Sequence, residues 1–116
     1  MIINRIIEDC LAPIGLQIFP NVCTKKLPEY IQYNYSDERP IVYADDEDLY
    51  DLTTVQVHLF TNKNPQGYKK KIRKCLRSAG FTIQSTYEEY EDDTRFNHIT
   101  VEASIEGVVD DEMEEI

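Results

Sequence analysis

The stretch Thr53-Thr54-Val55-Gln56-Val57-His58-Leu59-Phe60-Thr61 decides the fold. Val55, Val57 and Leu59 alternate with Thr54, Gln56 and His58, the two-residue period of a strand with one face in a core and one outside. Beyond it, Asn62 to Asn64 is a turn, and Asn64-Pro65 opens a helix, because Asn caps free N–H groups and Pro suits the first helical position. Gly80 closes that helix as a residue free to adopt the left-handed conformation. Tyr68, Ile72, Cys75, Leu76 and Ala79 fall on one helical stripe, and Lys69, Lys70, Lys71, Arg73, Lys74 and Arg77 make the opposite face positive. Thr82 to Glu91 and Phe96 to Val108 then read as a closing hairpin, with Glu91-Asp92-Asp93-Thr94 near its turn. Ile99, Val101, Ala103 and Ile105 alternate inward, and Phe96, His98, Thr100, Glu102 and Ser104 outward.

Upstream, Ile2, Ile3, Ile6, Ile7, Cys10 and Leu11 recur at helical spacing, with Asn4, Arg5, Glu8 and Asp9 on the other side. This helix of about three turns ends at Pro13 and Gly15 and covers a sheet face. Leu16, Ile18 and Phe19 suggest a short strand, and Tyr30 to Tyr35 a strand exposed on one side. Ser36 to Pro40 breaks that strand, Ile41-Val42-Tyr43 resumes it, and Asp45-Asp46-Glu47-Asp48 is an acidic loop. The order predicts an α+β fold: an antiparallel or mixed sheet of about four to five strands with two helices packed on one face. The other face is polar and aromatic, open to water or a partner. Residues 1–109 form a single domain and residues 110–116 an acidic flexible tail.

The totals bound the function. A chain of 116 residues with 41% hydrophobic and 29% charged residues has the composition of one packed domain. Its net charge of -10 repels phosphate backbones and argues against overall DNA binding. No run approaches the ~20 apolar residues that span a bilayer. The first residues carry Glu8 and Asp9 and no basic leader, so a cytosolic site of synthesis is expected. Three cysteines without short spacing, Cys10, Cys23 and Cys75, fit neither a disulfide framework nor a zinc site. Cys10 and Cys75 read as small core residues.

Catalytic and metal patterns are missing. A calcium loop starting at Asp45 needs Gly at its sixth position and Glu at its twelfth, where Tyr50 and Gln56 stand. His58 and His98 occupy outward positions of strands that can be neighbours, but no nucleophile elbow, zinc-helix motif or phosphate loop accompanies them. The expectation is a non-enzymatic chain without a cofactor. The basic helix face gathers six of the chain's twelve positive charges. Such a face reads first as a solvated helix surface in contact with nearby acids, and second as a docking face for the next copy: charge segregated in this way suits head-to-tail association, in which two different patches meet and make a ring if the rotation closes.

Four stretches together resemble the small tail terminator, or tail completion, proteins of long-tailed phages and prophages. They are Pro28-Glu29-Tyr30-Ile31-Gln32-Tyr33; Tyr43-Ala44-Asp45-Asp46-Glu47 followed by Val55 to Thr61; Ile72-Arg73-Lys74-Cys75-Leu76-Arg77-Ser78-Ala79-Gly80-Phe81; and Glu91-Asp92-Asp93-Thr94-Arg95-Phe96-Asn97-His98. The resemblance runs over residues 28–106 and leaves the acidic tail outside it. It implies a ring of identical subunits, commonly a hexamer, that caps the head-proximal end of a tail tube and joins it to head connector proteins. DNA passes through such a ring without specific binding, and acidic residues such as Asp45, Asp46 and Asp48 on its inner surface would repel phosphates. The implied location is the bacterial host cytoplasm during assembly and then the virion neck, with no membrane contact.

Candidate subunit contacts are Lys70, Lys74 and Arg77 on the helix, with Asp45, Asp46, Asp92 and Asp93 as counter-charges. Phe96, His98, Tyr33 and Tyr35 are the alternatives if the contact is apolar. A small adaptor that binds another protein through the exposed sheet face is the second expectation. An enzyme using His58 or His98 is the third.

Overall fold

The structure, a computed structural model, describes the backbone of residues 2–44 and 47–108 and the side chains of residues 2–40 and 51–107. Helix α1 (Ile3–Leu11) runs into a 3-10 turn (Ala12–Ile14) and strand β1 (Ile18–Pro20). Strands β2 (Glu29–Ala44) and β3 (Glu47–Thr61), helix α2 (Gln66–Ser78) and strands β4 (Thr82–Glu91) and β5 (Phe96–Val108) follow. The sheet order is β1-β2-β3-β5-β4. Among the described residues only the short β1 pairs in parallel, with β2, and the other pairings are antiparallel. This is the expected α+β fold with a mixed sheet. Among the described residues no helix is long and apolar enough to cross a membrane.

Register explains the layers. In β3 the alternation places Val55, Val57 and Leu59 under the helices, opposite Ala103, Val101 and Ile99 of β5. Ile3, Ile7 and Leu11 of α1 and Ile72 and Leu76 of α2 close the same core. Both helices therefore lie on one sheet face. Full burial of each such side chain contributes about 1.5–3 kcal/mol.

Strand β2 is longer than its sequence suggests. Ser36 to Pro40 does not break it; instead the ladder shifts register between Tyr35 and Asp37, between Pro40 and Val42, and again before Tyr43. Bulges absorb residues that a regular ladder excludes. Strand β3 likewise begins early, so Glu47 and Asp48 pair with Ala44 and Tyr43 rather than forming a loop. Asp45 and Asp46 lie outside the described residues.

Tyr33 and Tyr35 are a second correction. Both share a face with Ile31, so burying Ile31 carries them under α1. Tyr33 is 0% exposed, and its hydroxyl donates to the Glu8 carboxylate, while that of Tyr35 donates to Asn4 Oδ1. Asn4 is consequently buried, not solvated. Glu29 ties α2 to the sheet in the same way, accepting from Tyr68 Oη at 3.1 Å and from Thr61 Oγ1 at 2.9 Å.

The ends of α2 follow from named residues. Asn64 Oδ1 accepts the Gln66 N–H at 3.0 Å. At the other end Phe81 N–H reaches Leu76 O at 2.9 Å and Gly80 N–H reaches Arg77 O at 3.1 Å, a Schellman motif whose two apolar residues, Leu76 and Phe81, are both buried. Gly80 has φ +104, and a Cβ there would meet only Ile105 Cδ1 at an ordinary 3.7 Å. The cost of Gly80→Ala is therefore conformational, about 1–2 kcal/mol of stability. Urea unfolding measures it, and an unchanged midpoint would contradict this account of the helix end.

Candidate functional site

The sheet face away from the helices carries the densest polar chemistry. Even-numbered residues of β3 point there with their partners: Tyr30, Gln32 and Asn34 of β2, and His98, Thr100 and Glu102 of β5. At one end the rings form a cluster. Tyr30 stacks on Phe60 with centroids 4.9 Å apart, Phe96 meets both edge-on at 6.0 Å, and His98 stacks on Phe60 at 4.2 Å. Phe19 completes it against Tyr30 at 6.1 Å. An open groove of about 350 Å³ runs beside it, lined by Lys25, Lys26, Leu27, Tyr30 and Phe96.

Next to the rings a hydrogen-bonded chain crosses four strands. Gln56 Nε2 donates to Glu102 Oε2 at 3.2 Å, and Asn34 Nδ2 donates to Gln56 Oε1 at 3.3 Å. His58 Nε2 lies 2.9 Å from Asn34 Oδ1, and His58 Nδ1 lies 2.9 Å from His98 Nε2. His98 Nδ1 then faces Glu91 Oε2 at 3.2 Å and Glu89 Oε1 at 3.3 Å. Burial, and secondarily the neighbouring His98, pulls the His58 pKa down to about 4, so its ring is neutral at pH 7.

Thr100 Oγ1 is 3.2 Å from His98 Nε2, which gives a hydroxyl–imidazole–carboxylate series with Glu91. Acyl transfer also needs N–H donors aimed at a developing oxyanion. Strand β5 is interior, and around Thr100 its backbone is paired with β3 on one side and β4 on the other. The same Nε2 is also taken up by His58. The arrangement suits ligand binding better than nucleophilic attack.

The structure divides the anticipated contact residues into separate places. Lys70, Lys74 and Arg77 are exposed on the outer stripe of α2, with Lys71 beside them. Lys69 and Arg73 leave that face: both are half-buried, and Lys69 pairs with Glu88 of β4. Arg73 Nε is buried and has no hydrogen-bond partner among the described residues. Asp92 and Asp93 are exposed in the β4–β5 turn, where Arg95 adopts φ +61. Phe96 and His98 sit half-buried on the opposite sheet face from α2. No ion pair joins the α2 stripe to Asp92 or Asp93 among the described residues.

Some functional candidates, Glu89 and Glu91 among them, were missed in the sequence. Glu89 and Glu91 stand beside His98 only through the β4–β5 register, in which Glu89 is paired with His98 and Glu91 with Phe96. Their two-residue spacing on a strand is the signal that finds them. Tyr87 and Tyr90, more than half exposed, lie on the outer strand β4.

No protein-family model matches the chain, and no curated protein is significantly similar to it. The chemistry of the site is thus read from its own residues.

The nucleophile inventory ends with the thiols. Cys10, Cys23 and Cys75 are unpaired. Cys10 packs at the edge of the core and donates to Ile7 O at 3.3 Å. Burial, with smaller contributions from Cys75 and Asp9, pushes its pKa up to about 11. Because only the thiolate reacts, iodoacetamide at pH 8 is expected to label Cys10 at least about tenfold more slowly in the folded chain than in urea. Equal rates would contradict its packing against the core.

Proposed function

We propose that this chain is a structural subunit that joins copies of itself head to tail into a ring, as phage tail terminator proteins do, between a tail tube and head connector proteins. The observation that supports the reading is the bare basic stripe of α2. Lys70, Lys71, Lys74 and Arg77 are exposed and make no ion pair among the described residues, in a chain of net charge -10. Like charges three and four residues apart cost a helix about 0.2–0.5 kcal/mol per pair. The first turn of α2 has no acid to offset them. Such a stripe is better explained by an acidic surface outside the subunit than by the fold.

The β4–β5 turn supplies an acidic surface at a different place. Gln66 and Lys69, in the first turns of α2, meet Glu88, so Asp92 and Asp93 lie beyond the helix N-terminus. Arg77 is about 16 Å farther along the helix at ~1.5 Å per residue, outside the ~8–10 Å screening length of exposed charges. The Arg77 end of the stripe is thus out of reach of the turn in its own subunit, whereas a neighbour rotated about a ring axis can meet it. The remaining negative charge, including Asp45 and Asp46, then suits a hole that DNA traverses without binding. Host cytoplasm and virion neck are the locations this reading carries.

The half-buried rings of Phe19, Tyr30 and Phe96, packed over the buried Phe60, favour a second reading, a monomeric adaptor that docks a partner protein on the open face.

Charge reversal tests the ring. A helix variant (Lys70→Glu, Lys74→Glu, Arg77→Glu) and a turn variant (Asp92→Lys, Asp93→Lys) are each expected to remain dissociated. Mixing them restores both contacts in alternation, so an even-numbered ring should form, visible by mass photometry. Mixed variants that stay dissociated while the parent assembles would refute these patches, and a parent that stays monomeric would favour the adaptor.

A further inference from the structure

The hydrogen-bonded chain across the open face has a fixed direction. Glu102 is a carboxylate and only accepts, so Gln56 must present its amide nitrogen to it. That orients Gln56 Oε1 toward Asn34, which must donate, leaving Asn34 Oδ1 to accept from His58 Nε2–H. His58 Nδ1 in turn lies 2.9 Å from His98 Nε2, so the two imidazoles share one hydrogen bond. With Nε2 turned to His58, the other ring nitrogen of His98 is Nδ1. It faces two carboxylate oxygens, Glu91 Oε2 at 3.2 Å and Glu89 Oε1 at 3.3 Å. One imidazole nitrogen and two carboxylates thus converge on one point at the edge of the open face.

We propose that His98 Nδ1, Glu89 and Glu91 form a binding site for a divalent transition-metal cation of the zinc class. The ligand atoms lie within 4.8 Å of one another. Donors on a tetrahedron with bonds of ~2.0–2.1 Å are separated by about 3.3–3.4 Å, and both imidazole–carboxylate separations already match this. A metal-binding imidazole characteristically donates its second ring N–H to an acceptor that fixes its tautomer. His58 Nδ1 stands in that place, 2.9 Å from Nε2, and stacking on Phe60 at 4.2 Å holds the ring plane.

The ligands stand on strands, not on a loop. Glu89 is the cross-strand partner of His98, and Glu91 follows on the same face of β4. Glu89 is 68% exposed, so the remaining coordination positions open to solvent. One nitrogen and two carboxylate oxygens suit zinc, manganese or cobalt better than calcium or magnesium, which favour all-oxygen sites. The site is independent of whether the chain forms rings.

The test uses the full chain, freed of metal, at pH 7. Zinc is titrated by calorimetry while long-range proton–nitrogen spectra follow the two histidines. The expected result is one zinc per chain, with the Nδ1 resonance of His98 displaced. Glu91→Gln should weaken binding at least about tenfold, and His98→Gln should abolish it; His58→Gln, which alters the supporting shell, should weaken it about 10–100-fold. Circular dichroism of each variant confirms that it is folded. The proposal is overturned if His98 Nδ1 does not move at saturating zinc, or if folded His98→Gln binds zinc as tightly as the parent. Magnesium displacing the same resonance at equal concentration would overturn the metal class.

Discussion

Everything in this molecule depends on the phase of one central strand. Val55, Val57 and Leu59 sit between Ile31, Tyr33 and Tyr35 on one side and Ile99, Val101 and Ala103 on the other, beneath two amphipathic helices. A slip of one residue would put Gln56, His58 and Phe60 into that core and expose its valines. The constraint also forces the hydroxyls of Tyr33 and Tyr35 inward, where Glu8 and Asn4 of α1 satisfy them. A buried hydroxyl without a partner costs about 1–3 kcal/mol, so the polar residues of α1 are set by the sheet below them.

The same phase composes the open face. It aligns Glu102, Gln56, Asn34, His58 and His98 into one hydrogen-bonded chain that ends against Glu89 and Glu91. A cation at that end completes the series. Meanwhile α2 turns its apolar stripe to the sheet and its lysines outward, which separates a basic patch from the acidic β4–β5 turn. One module thus carries two opposite charges at different places and a polar, aromatic face between its edges.

Much of this was legible in the sequence where the signal is periodic. The alternations of β3 and β5 and the stripes of α1 and α2 declare their faces, and Asn64 and Gly80 mark the ends of α2. The gaps have physical causes. Tyrosine reads equally well as exposed or buried, and the partners that decide for Tyr33 and Tyr35 lie 25 and 31 residues away. Pro40 looks like a strand breaker because register shifts are invisible locally. A helical projection gives the angle of Lys69 but not the strand beside it, where Glu88 waits. His58 and His98 were recognisable as outward residues on possible neighbours. Their 2.9 Å contact and the carboxylates behind it emerge only once β3, β5 and β4 are in register.

The central claim is that the chain's charge pattern serves assembly of copies. Light scattering after size exclusion, on the unaltered protein at several concentrations, in low salt and in 1 M salt, addresses it most directly. The account predicts a ring-sized particle, or a concentration-dependent shift toward one, at low salt and a smaller mass at 1 M, where charges are screened beyond ~3 Å. A monomer under every condition, or an oligomer indifferent to salt, would contradict it.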